Sequence, residues 1–190
     1  MTLQQDRTLQ EFLKSEFQKA QEEQRTPELG RYYASSLFDI AQGKINAENY
    51  FLPRVFPSQI LELLALGRMY HSFLQEILVK HPHITAIEER IEVPYNDWLI
   101  TGRIDAVIND NPIELKTCTH LPEKPEKSHI YQLQAYTHAK KSAFGYLSYV
   151  QKSPKEFPTR TFRIEYDEAI MRDIFSKTDI LHKSLIKTHV

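Results

Sequence analysis

The residues of this 190-residue chain whose types and spacing could carry chemistry lie around one turn. Asn109-Asp110 is a polar pair that tolerates left-handed backbone angles and suits a tight hairpin turn between two strand-like runs. A two-residue turn there pairs Ile108 with Asn111. Continued pairing sets Asp105 directly opposite Glu114, with Cβ atoms about 5 Å apart. Strand alternation puts Lys116 on the face of Glu114. One face then carries Asp105, Glu114 and Lys116, and Ile104, Ala106, Ile108, Ile113 and Leu115 form a core face. Two carboxylates held this close repel unless a cation lies between them. A hard divalent ion such as Mg2+ or Mn2+ answers that need, and Lys116 can then orient an attacking water or offset charge on a phosphate. The plainer reading of the same spacing is a solvent-exposed hairpin face with a surface ion pair between Lys116 and a carboxylate.

The elements that must position these residues follow from periodicity. Gln4 to Glu23 reads as an amphipathic helix, with Leu9, Phe12, Leu13, Phe17 and Ala20 at helical spacing. Arg31 to Pro57 is aromatic and irregular, a short helix with long loops. Ser58 to Lys80 is the clearest helix, with Ile60, Leu64, Gly67, Leu74 and Leu78 on one stripe, Ser58 as the expected N-cap and His81-Pro82 as the stop. Strands are expected over Thr85 to Val93, Trp98 to Ile108 and Pro112 to Thr119. A helix over Lys127 to Lys141, strands over Ala143 to Gln151 and Thr159 to Tyr166, and a final helix capped by Asp167 complete the chain. This order specifies an α/β fold, a mixed central sheet flanked by helices. Residues 1–57 read as an N-terminal helical extension packed on a core of residues 58–190, within a single domain.

Several other polar residues fall in register with these elements. His71 lies on the apolar stripe of its helix, where a polar side chain needs an internal partner. It is either a core histidine bonded to backbone or, given two carboxylates nearby, a metal ligand. Gln132 and Tyr136 are one helical turn apart, and His129 shares their face. Glu88, Glu89 and Glu92 read as a solvated strand face, with Glu89 or Glu92 able to reach the site in one register. Cys118 has no partner that would activate a thiolate and reads as a small strand residue. Tyr32, Tyr33, Phe38, Tyr50 and Phe51, interleaved with Arg25, Arg31, Lys44 and Arg54, suit either stacking on single-stranded bases or an aromatic minor core.

Composition bounds the classes. Hydrophobic residues make up 41% and charged residues 26%, as in ordinary globular proteins. The net charge of -1 argues against indiscriminate coating of DNA but allows a local basic groove. One cysteine excludes an intrachain disulfide and a four-cysteine zinc or iron–sulfur site. Apolar stretches such as Leu63 to Gly67 are too short to span a bilayer, and the opening residues lack a signal pattern, so no membrane association and a cytoplasmic location, or a host-cell cytoplasm for a viral protein, are expected.

Gly102-Arg-Ile-Asp105, Ile113-Glu-Leu-Lys116 and Gln132-Leu-Gln-Ala-Tyr136, preceded by Gly67-Arg-Met-Tyr-His71, resemble the PD-(D/E)XK nuclease superfamily, and most closely its RecB-type branch. That branch includes CRISPR-associated RecB-like exonucleases and mitochondrial and phage single-strand exonucleases. The resemblance covers roughly Gly67 to Tyr149. It implies a restriction-endonuclease-like αβββαβ core and a Mg2+- or Mn2+-dependent deoxyribonuclease, exonucleolytic or endonucleolytic. In it Asp105, Glu114, the Leu115 carbonyl and His71 ligate the metal, and Lys116 positions the water nucleophile. Gln132 and Tyr136 contact the DNA backbone or Lys116. The chain departs from the CRISPR-associated relatives in lacking the four cysteines of their iron–sulfur cluster, so a cluster-free viral, phage or mobile-element relative fits better.

The expected function is cleavage of DNA, single-stranded by preference, in processing, repair or mobile-element replication. Two other classes compete: a catalytically idle nucleic-acid-binding or assembly module that keeps the fold, and a structural protein that interacts through its N-terminal helix. The intact Asp–Glu–Lys set weighs against the first. The sequence leaves homo-oligomerisation open.

Overall fold

The structure, a computed structural model, describes residues 27–52, 57–153 and 156–189. The helix expected over Gln4 to Glu23 lies outside them, as do Arg25 and Arg54. The described elements are β1 (Arg31–Tyr33), a 3-10 turn (Ala34–Ser36), α1 (Leu37–Ala41), α2 (Ser58–Leu78), β2 (Ile84–Tyr95), β3 (Trp98–Ile108), β4 (Asn111–Cys118), α3 (Lys127–Lys140), β5 (Phe144–Gln151), β6 (Thr159–Glu165) and α4 (Glu168–His189). The expected αβββαβ core is present as α2-β2-β3-β4-α3-β5.

Six strands make one mixed sheet in the order β1-β3-β4-β5-β6, with β2 paired to β3. β2, β3 and β4 form antiparallel hairpins, while β1 joins β3 and β5 joins β4 in parallel. The connection through α3 is what a parallel β4–β5 pair requires, because a tight turn can join only antiparallel strands. Asn109 and Asp110 both take left-handed angles, φ 46 and 63°, as a two-residue hairpin turn demands. The register follows: Ile108 faces Asn111 and Ala106 faces Ile113.

Two points differ from expectation. Ser58 is the first helical residue of α2, and the cap position belongs to Pro57, whose fixed backbone suits the entry. Arg31 to Tyr33 is a strand: three residues carry no readable alternation, and only their pairing with Leu99 to Thr101 of β3 defines them.

The core sits on both faces of the sheet. Ile100, Ile104 and Val107 pack with Tyr32, Leu37, Tyr136, Met171 and Ile174. Ala106, Ile113 and Leu115 pack with Leu74 and Leu78, the C-terminal half of the α2 stripe. The N-terminal half of that stripe, Ile60 and Leu64, is exposed.

Candidate active site

β3 and β4 stop pairing just before the residues of interest. Their ladder ends at Ala106 and Ile113, and β4 continues with β5 from Ile113 to Cys118. Asp105 and Glu114 therefore stand in the fork where the strands part rather than as flat cross-strand neighbours. Asp105 takes up the fork itself: its Oδ2 accepts a hydrogen bond of 2.7 Å from the Leu115 amide. Its Oδ1 lies 3.6 Å from Nδ1 of His71 on α2.

Glu114 is 2% exposed, a burial that an ionised carboxylate tolerates only with partners. Its Oε1 lies 2.6 Å from the Lys116 ammonium, and its Oε2 is buried without a hydrogen-bond partner. Burial outweighs the pull of Lys116, and the charge of Asp105 adds to it, pushing the carboxyl up to about 7. Lys116 is steered from α3 as well. Its Nζ donates to Gln132 Oε1 at 3.0 Å, and Gln132 Nε2 donates to the Tyr136 hydroxyl at 3.0 Å. Gln132 and Tyr136 are 8% and 2% exposed, so they buttress Lys116 from within rather than present a surface. His129 sits on the same helix with Nδ1 2.9 Å from the Tyr149 hydroxyl, and burial, then the charge of Lys116, lowers it to about 4.

Gly102 explains the glycine of its motif. A Cβ there would stand 2.7 Å from Tyr136 Cε1 and 3.0 Å from the Ala34 Cβ, so only glycine lets the Tyr136 ring pack over β3.

The chemistry of this donor set fits a hard divalent cation: a buried carboxylate oxygen with no partner faces the field of a second carboxylate. Among the described residues no three histidine, cysteine, aspartate or glutamate side chains already form a metal-holding cluster. Asp105 engages the Leu115 amide and Glu114 engages Lys116.

The other candidates resolve as structure. Glu89 pairs with Lys140 at 2.9 Å and Glu92 with Arg31 at 3.2 Å, so neither enters the site. Cys118 is half-buried with Leu121 and Phe162 around the Leu133 cluster. Of the aromatic segment before residue 52, Tyr32 is core, Tyr33, Phe38 and Tyr50 are partly buried, and Phe51 is exposed. Tyr32 is fully buried against Trp98, Phe38 packs edge-on to Tyr131, and the Tyr50 hydroxyl donates to the Arg31 carbonyl at 2.8 Å. No described helix is long and apolar enough to cross a membrane. Sequence reasoning passed over Gln75 and Arg103 and read Glu88 as part of a solvated strand face, since no local pattern distinguishes the three from surface residues.

No family model matches the chain, and no curated protein matches it. Solved structures do. SSO0001 is 22% identical with a TM-score of 0.60, over 90% of this chain and 85% of that one. LHK-Exo in complex with dAMP is 16% identical with a TM-score of 0.59, over 92% of this chain and 95% of that one. LHK-Exo is an alkaline exonuclease from Laribacter hongkongensis. A phage-related exonuclease from Haemophilus somnus 129PT is 16% identical with a TM-score of 0.54, over 84% of this chain and 96% of that one. The chain shares their fold. Its mixed sheet flanked by helices is the architecture of these exonuclease structures across nearly their full lengths.

Proposed function

We propose that this protein is a divalent-metal-dependent DNA nuclease, of the RecB-like kind within the PD-(D/E)XK superfamily, acting through Asp105, Glu114 and Lys116. The observation that carries the reading is the buried, partnerless Glu114 Oε2 beside Asp105 and Lys116 in the strand fork. Asp105, Glu114, the Leu115 carbonyl and His71 would hold Mg2+ or Mn2+. When bound, the ion supplies Lewis-acid activation of phosphate and water at neutral pH.

The chain's own groups do the rest. Asp105 is fixed by the Leu115 amide, so its carboxylate needs little reorganisation to serve as a ligand. Lys116 is held between Glu114 and Gln132. From that position the ammonium would orient the water nucleophile and offset charge on the phosphate. Gln132 and Tyr136 hold that ammonium in place. The similar LHK-Exo binds dAMP, a deoxynucleoside monophosphate, which is the product class of exonucleolytic DNA hydrolysis. The net charge of -1 favours a substrate engaged locally, and single-stranded DNA is the preferred form in this reading.

The test is incubation of labelled linear and circular oligonucleotides, single- and double-stranded, with Mg2+, Mn2+ or EDTA. Cleavage of linear single strands that depends on metal is expected. Absence of metal-dependent cleavage on every substrate would sink the proposal.

A further inference from the structure

Glu88 lies inside β2 with φ 56°, a left-handed backbone that a non-glycine residue enters only at a cost. Such strain persists where surrounding contacts over-determine it, and here they do. Gln75 Nε2 donates to Glu88 Oε1 at 2.7 Å, and Arg103 Nη1 lies 2.5 Å from Oε2. The two partners come from different elements. Gln75 is on α2, one turn beyond His71, and Arg103 is on β3, two residues before Asp105.

The ladder records what the kink does. Every residue of β3 from Trp98 to Ile108 has a partner on β2 except Asp105, which would face Glu88 between the pairs Glu89–Ile104 and Ile87–Ala106. On its other side the ladder to β4 has already ended. Asp105 is thus outside strand pairing on both sides, free to turn its carboxylate to the Leu115 amide and towards His71.

We propose that Glu88 is a positioning residue: its left-handed kink takes Asp105 out of the ladder, and its carboxylate clamps the helix bearing His71 to the strand bearing Asp105. The proposal rests on the nuclease reading above. An isolated half-exposed ion pair between Glu88 and Arg103 would contribute little. The combination of kink, ladder gap and two partners on the two site-bearing elements is what separates this clamp from such a pair.

The experiment compares Glu88→Gly, Glu88→Gln and Gln75→Ala with wild type in the full chain. It reads kcat and KM on a labelled single strand with Mn2+, Mn2+ affinity by calorimetry without DNA, and Tm. Glu88→Gly accommodates the kink but loses both clamps. It is expected to lower kcat about tenfold or more and weaken Mn2+ binding about tenfold, with KM and Tm little changed. Glu88→Gln, whose amide oxygen can accept from Arg103 and whose amide nitrogen can donate to Gln75 once the Gln75 amide is turned over, is expected to recover most of both, and Gln75→Ala to fall between. Wild-type kcat and Mn2+ affinity in both Glu88→Gly and Gln75→Ala would overturn the clamp. Mn2+ binding by a wild-type protein that cuts nothing would overturn the nuclease reading alone, and the affinity comparison would still judge the clamp.

Discussion

β3 carries a histidine–aspartate contact near each of its ends, and only one of them has the makings of a reactive site. Before its start, His182 of α4 is 3% exposed, with Nδ1 2.9 Å from the Tyr32 hydroxyl and Nε2 3.1 Å from Asp97 Oδ2. Tyr32 stands edge to face against both His182 and Trp98, with ring centroids 6.0 and 5.5 Å apart. Near the other end, His71 approaches Asp105 more loosely, at 3.6 Å, beside a second carboxylate and a lysine. In the first cluster His182 Nε2 also lacks a hydrogen bond, but it lies 3.1 Å from a carboxylate that is itself open to solvent, so the contact sets a nitrogen against an oxygen and holds no pair of like charges. The second holds a buried carboxylate oxygen with no partner. A histidine beside an aspartate is therefore not a site by itself. An unsatisfied buried oxygen next to like charge is the distinguishing mark, because it stores a cost that a ligand can relieve.

The comparison breaks most sharply on Lys116. Lys116→Ala is expected to lower cleavage about a hundredfold or more, since the cation at the developing charge is lost, and added Mn2+ should not restore it. Its stability cost should depend on pH. The substitution strands Glu114 without its cation, so the Tm loss should be small at pH 6, where the carboxyl takes up a proton, and larger at pH 8. Cleavage at the wild-type rate would reduce Lys116 to an ion-pair partner.

His182→Ala should show the reverse pattern. It opens a cavity and leaves the Tyr32 hydroxyl unpaired in the core, at a cost of about 2–4 kcal/mol, while cleavage per folded molecule stays at wild type. A selective loss of turnover at unchanged Tm would make the two clusters functionally alike.

Glu114→Gln sharpens the contrast through pH. The folded-state carboxyl is raised from 4.5 to about 7, so its contribution to stability is present below the lower value and lost as pH rises through the upper one. The amide cannot ionise. Metal-free Glu114→Gln should therefore melt about 5 °C above wild type at pH 8 and level with it at pH 5, with cleavage abolished. Equal melting at both pH values would show that Glu114 is not held at a cost.

The smallest effect concerns the approach of α3. Gly102→Ala should cost about 1–3 kcal/mol, because the Tyr136 ring or the strand must give way. It should also lower turnover by loosening the Tyr136–Gln132–Lys116 chain, and Tyr136→Phe in the same background should not lower it much further.

Much of this frame is legible in the sequence. The Asn109-Asp110 turn sets the hairpin register, the one-turn spacing of Gln132 and Tyr136 aims both at the site, and the period of α2 places His71 beside Asp105. The fork is not legible. Nor is the gap at Asp105 in the ladder to β2, where Glu88 takes a left-handed backbone angle that no local propensity announces. The packing of Tyr32 and Phe38 is equally hidden. Tyr32 and Phe38 would serve a stacking surface as well as a core, and only the packing of α4 and α3 decides between them.

The three residues of β1 bear on how the chain can be cut. They lie along Leu99 to Thr101 of β3, in the space that β4 leaves open where its own pairing begins only at Ala106. A protein trimmed to start at residue 58 would bare the amides and carbonyls of that stretch, flanked by the apolar Leu99 and Ile100. Such an uncovered edge templates pairing between molecules. The shortened chain is thus expected to precipitate or self-associate even though it keeps Asp105, Glu114 and Lys116, and a soluble minimal version must keep Arg31 to Tyr33.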